Sequence, residues 1–155
     1  MVSAYACMGL IFSAPAAVDA FSRSRPQTMR DVFRRAGKAA GYAEGLALAM
    51  LLLGTLTVNL SRPGRMRLPE LDTLGESALL GITGTAAMAL LAGWLTLRFS
   101  AVTARLVSRG VLFLMLLEFW LNSSRLPELG LQGALLCAVA AGVLTHLLYR
   151  EVHPQ

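Results

Sequence analysis

Charge is what this sequence has least of. Asp, Glu, Lys and Arg make up 15% of the 155 residues, against 55% hydrophobic residues and a mean hydropathy of +0.60. That is too little polar matter to coat a water-soluble globule, so a bilayer is the expected solvent. Cysteine is equally scarce. Cys7 and Cys137 each stand alone in an apolar stretch, which excludes a disulfide framework and any C-x-x-C metal set. Histidine is limited to His146 and His153, and His153 lies beyond Arg150 in the tail, so two histidines cannot face each other inside a membrane to hold a haem. Serines and threonines occur in apolar stretches, but no His or Asp is placed to activate them. The expectation is a protein with no catalytic set, no metal and no cofactor.

Long apolar stretches are present in their place, separated by short arginine-bearing connections. Ala39 to Leu60, Ser77 to Leu97 and Leu129 to Tyr149 each have about the 20 residues a helix needs to cross about 30 Å of hydrocarbon. Two further stretches are less regular. Val2 to Phe21 has a small-residue segment reminiscent of a signal peptide but no Lys or Arg ahead of its apolar run, so it reads as a retained first helix bent at Pro15. Val111 to Leu121 spans only if helix extends back through Ala101, with Arg105 and Arg109 snorkelling to the headgroups. The predicted fold is an all-α polytopic bundle forming one domain over 1–155. Its spans fall near 2–21, 39–60, 77–97, 102–122 and 129–149, four rather than five if Val111 to Leu121 is re-entrant or the first stretch does not cross.

The net charge of +5 does not point to nucleic acid, because the basic residues lie in connections and at span ends, where anionic headgroups meet them. With five spans, ten basic residues fall on one side and four, Arg62, Arg65, Arg67 and Arg125, on the other. That asymmetry predicts an outside N-terminus and a cytoplasmic C-terminus. All basic residues but Lys38 are arginine, a bias that suits a GC-rich genome and a bacterial inner membrane. Arg62-Pro63-Gly64 and Leu126-Pro127-Glu128 mark expected breaks after apolar runs. Trp94, Trp120, Tyr5, Tyr42 and Tyr149 lie near span ends as interfacial anchors do, and Asn122-Ser123-Ser124 matches a glycosylation sequon that matters only in a secretory membrane.

The first connection has a pattern of its own. Thr28 and Asp31 have capping-box spacing, so a helix is expected from Met29. Met29, Val32, Phe33, Ala36 and Ala40 share one face and Arg30, Asp31, Arg34, Arg35 and Lys38 the other, the geometry of an interfacial helix near 29–36 on anionic lipid or a partner.

Small residues recur at every fourth position in three spans, as close helix contact in lipid requires. Gly37, Gly41, Gly45 and Ala49 line one ridge; Ser77, Gly81, Thr85, Ala89 and Gly93 a second; Gly130, Ala134, Ala138 and Gly142 a third. Intramembrane ionisable residues are the functional candidates, and Glu44, Glu118 and His146 qualify. His146 continues the third ridge, which predicts that it points into an interface near Glu44. The plainer account lets Glu44 snorkel or pair with Lys38 or Arg35. Glu118 shares a face with Gly110, Leu114 and Asn122, a polar seam able to hold a proton or to bond to a neighbouring helix. Two functions fit: an accessory subunit packed among other integral-membrane subunits, or a channel or proton-linked carrier built from identical copies.

Overall fold

The computed structural model describes the backbone of residues 2–61, 71–121 and 126–153, and side chains over 9–61, 78–117 and 131–153 with Gly75 and Leu121. Glu118, Gly130, Ser77, Cys7, Tyr5 and Trp120 lie outside the residues whose side chains are described, as do Arg62 to Arg67 and the segment 122–125. Within the described residues the protein is all-helical: α1 (Val2–Ser22), α2 (Met29–Ser61), α3 (Leu71–Arg98), α4 (Ala101–Leu121) and α5 (Leu126–Val152). Three helical stretches are long and apolar enough to cross a membrane: Met29–Ser61, Ala78–Arg98 and Leu131–Val152. The described apolar part of α1, Gly9–Ser22, is shorter, and α4 carries Arg105 and Arg109.

Local chemistry sets the helix ends. The Thr28 hydroxyl accepts the Asp31 backbone N–H at 3.2 Å and the Thr28 carbonyl takes the N–H groups of Asp31 and Val32, so α2 starts at Met29. The Ser100 hydroxyl accepts the Thr103 N–H at 3.2 Å and starts α4 two residues after α3 ends. Pro127 falls inside the first turn of α5, where its missing N–H costs nothing, so Leu126-Pro127-Glu128 opens a helix and does not form the turn its composition suggests.

α2 also differs from the expected pair of an interfacial helix and a separate span. It is one helix of 33 residues, about 50 Å long at 1.5 Å per residue. Nothing from Ala36 to Ala40 stops it, since a single glycine amid alanines and a lysine costs only about 1 kcal/mol of helix propensity. The amphipathic face of its first turns closes on the protein itself, with Val32 and Ala36 buried in the core and Phe33 exposed.

α3 is the hub and contacts each of the other four helices. The core gathers Ala14, Val18 and Phe21 of α1, Val32 and Ala39 of α2, Met88, Ala92 and Leu95 of α3, Ala104 of α4 and Leu148 of α5. These positions belong to the C-terminal halves of α1, α3 and α5 and the N-terminal halves of α2 and α4, so successive helices run in alternating directions. In the opposite halves apolar side chains turn outward: Leu52, Leu53, Leu56 and Leu60 on α2, Phe113 and Leu114 on α4, Leu135, Leu136 and Val139 on α5. Leu60 is 76% exposed and Leu136 72%, the inverse of a water-soluble bundle.

Polar side chains on these helices satisfy themselves locally. Thr55, Thr57, Thr96 and Thr145 each donate to the carbonyl four residues earlier, at 2.7–2.8 Å. That bond removes the cost of carrying a hydroxyl into hydrocarbon.

Candidate functional site

Glu44 is where three helices meet through polar atoms. It sits on α2 beside the buried Ala43, half-buried, and the Thr85 hydroxyl of α3 bonds its Oε1. Thr85 is fully buried and also bonds the Gly81 carbonyl of its own helix. The third wall is Gly9 of α1. A Cβ there would stand 2.9 Å from Glu44 Oε1 and 3.0 Å from Thr85 Oγ1, so only glycine admits the pair at this spacing. A carboxyl in an apolar bundle needs such partners, because an unpaired polar group there costs several kcal/mol, on the order of 2–7. Thr85 has one hydrogen for two acceptors.

Glu44 thus turns towards α1 and α3, and His146 is exposed on α5. No hydrogen bond or ion pair among the described residues joins the two. The reason is geometric. Steps of four residues advance about 400° around a helix, so a ridge drifts by about 40° at each step. The face of α5 that stays inward alternates steps of three and four through Ala134, Cys137, Ala141, Leu144 and Leu148, leaving Ala138, Gly142 and His146 outside. Glu118 lies on α4, with its side chain outside the described residues.

The basic residues of the first connection also divide. Arg35 folds back to donate to the Ala20 carbonyl at 3.1 Å, to the Ser24 carbonyl and to the Ser24 hydroxyl, clamping the turn between α1 and α2. Arg30, Arg34 and Lys38 are exposed along the outer face of α2. Elsewhere Arg105 pairs with Asp19 at 3.0 Å and Arg98 with Glu151 at 3.6 Å.

The small-residue ridges do not share one environment. On α3, Gly81, Thr85, Ala89 and Gly93 are buried, and a Cβ on Gly93 would meet the Phe21 ring at 2.8 Å. On α2, Gly37, Gly41 and Gly45 face open space, with no atom within 4 Å of an added Cβ, and Ala49 is exposed. The inward face of α2 is the nearly opposite one, Val32, Ala36, Ala39, Ala43 and Ala47. On α5, Ala134 is buried while Ala138 and Gly142 are exposed. Thr85 entered the sequence reading only as a ridge position. Its pairing with Glu44, across 41 residues of sequence, has no signal in local spacing.

No protein-family model, curated protein or solved structure matches this chain.

Proposed function

We propose that the chain is a small integral-membrane accessory subunit, crossing the bacterial inner membrane about five times with its N-terminus outside, and packed against other membrane subunits of a larger complex. One observation carries this reading: the glycine ridge of α2 is intact in sequence and open in space. Gly37, Gly41 and Gly45 expose helix backbone along one line, continued by Ala49, and no described residue packs within 4 Å of an added Cβ at the three glycines. Lipid gains little from such a groove, whereas a second helix gains close van der Waals contact. Ala138 and Gly142 offer a similar outward surface on α5. Arg30, Arg34 and Lys38 flank the α2 surface with charges suited to anionic headgroups or to acidic residues of a neighbour.

The test is site-specific photocrosslinking in native membranes. A benzophenone side chain at Gly41, Gly45 or Gly142 is expected to yield adducts with unrelated membrane proteins, and one at the lipid-facing Leu53 none. Protein adducts absent at all three glycine positions would refute the reading.

A homo-oligomeric channel or proton-linked carrier is the second reading, and the Glu44–Thr85 cluster is what favours it, with Glu118 and His146 as further ionisable groups. Proton flux into liposomes separates the two. Flux that is present in wild type and lost in Glu44→Gln supports transport, and no flux in either removes it.

A further inference from the structure

A cavity of about 510 Å³ lies between α1 and α4, lined among others by Ile11, Phe12, Asp19, Arg105, Ser108 and Arg109. It is amphipathic along its length. At one end Arg105 pairs with Asp19 at 3.0 Å and Arg109 sits one turn further along α4, exposed and without a hydrogen bond or ion pair to a described residue. At the other end, about two helical turns deeper, Ile11 and Phe12 of α1 face Leu112 of α4. In its wall stands Ser108, fully buried, whose hydroxyl has no hydrogen-bond partner among the described residues. Thr55, Thr57, Thr96 and Thr145 bond back to their own helices. Ser108 does not, and a buried hydroxyl without a partner is costly to keep out of water.

Charge and shape together specify an occupant. Asp19 offsets one of the two arginines, leaving one net positive charge beside the mouth, which matches the single negative charge of a phosphodiester. The lining passes from Asp19 and Arg105 through Arg109 to Leu112, Ile11 and Phe12, which matches a headgroup continuing into an acyl chain. We propose that this cavity holds one anionic phospholipid, its phosphate on Arg109 with Arg105 in reach, and an acyl chain along Ile11, Phe12 and Leu112. Because Asp19 already engages Arg105, Arg109 supplies the charge that selects the lipid. The lipid would bridge α1 and α4, whose contact with each other is otherwise slight next to that of α1 with α3.

This inference rests on the membrane reading and is independent of whether partner subunits exist. The full chain, with whatever co-purifies, is extracted in neutral detergent and analysed by native mass spectrometry. Wild type is expected to retain one phospholipid per chain. Arg109→Gln, at an exposed position that should fold normally, is expected to lose it at least tenfold, and Ala14→Leu, which fills the cavity wall, to exclude it. Arg30→Gln is expected to retain it. After delipidation, phosphatidylglycerol should raise the melting temperature of wild type and not of Arg109→Gln, while phosphatidylcholine and inorganic phosphate should leave both unchanged. Wild type without retained lipid, equal loss in Arg30→Gln and Arg109→Gln, or equal stabilisation by inorganic phosphate would each overturn the proposal. A lone monomer that still carries the lipid would refute the subunit reading and leave this one standing.

Discussion

The glycine ridges of α2 and α3 read alike in sequence and differ in every physical respect in the folded chain. On α3 the ridge is used up internally: Gly93 receives the Phe21 ring, Thr85 receives Glu44, and Gly84, one position off the ridge, would meet Leu10 at 3.1 Å if it carried a Cβ. On α2 an added Cβ at Gly37, Gly41 or Gly45 would meet no described atom within 4 Å. The difference follows from position in the bundle. A ridge of every-fourth residues winds slowly around its helix, and only a helix with neighbours on several sides can keep all of it covered. α3, the hub, has them; α2 contacts α1, α3 and, more slightly, α5 and buries alanines there, whose methyl groups fill the space that glycine would leave. A small-residue ridge therefore marks where a helix can be approached closely, without saying by whom.

Substitutions sharpen this contrast. The largest effect is expected from Gly93→Leu, which drives a branched side chain into the Phe21 ring and should lower the stability of the purified chain by about 3 kcal/mol, read as an earlier thermal transition in detergent. Thr85→Val keeps the shape but removes the hydroxyl that serves Glu44, and is expected to cost about 1 kcal/mol by the same assay, the scale of interhelical hydrogen bonds in membranes. Asp19→Asn breaks an ion pair whose side chains are 59% and 51% exposed, so the loss should stay below about 1 kcal/mol and shrink further as salt is added. Gly41→Leu should not destabilise the isolated chain, because an added side chain meets no described atom, and should gain up to about 1 kcal/mol of helix propensity. The same variant is expected to be lost from the native complex, and that pairing of an intact chain with a disrupted assembly is the signature of an outward interface.

Much of the architecture was legible because it rests on composition and local chemistry. Apolar stretches of membrane length, the Thr28 cap and the arginine-bearing connections place helices without knowledge of their partners. What was not legible depends on rotation about a helix axis. The first connection reads as an interfacial helix because Val32 and Ala36 form an apolar face, yet the rest of the protein covers that face and the helix runs unbroken into α2. Glu44 stood out as an ionisable residue in a span, but which helix it turns to depends on a rotation of a few tens of degrees, and the structure places its Oε1 against Thr85 of α3. Arg35 reads as one more headgroup contact, and its hydrogen bonds to Ala20 and Ser24 make it part of the fold.

The outward ridge is tested most directly by the mass and composition of the gently solubilised native assembly containing this chain, compared between wild type and Gly41→Leu. The account predicts wild type in a complex with unrelated membrane subunits and the variant released from it, folded. Wild type recovered as a stable monomer, or a variant that stays fully assembled, would contradict it.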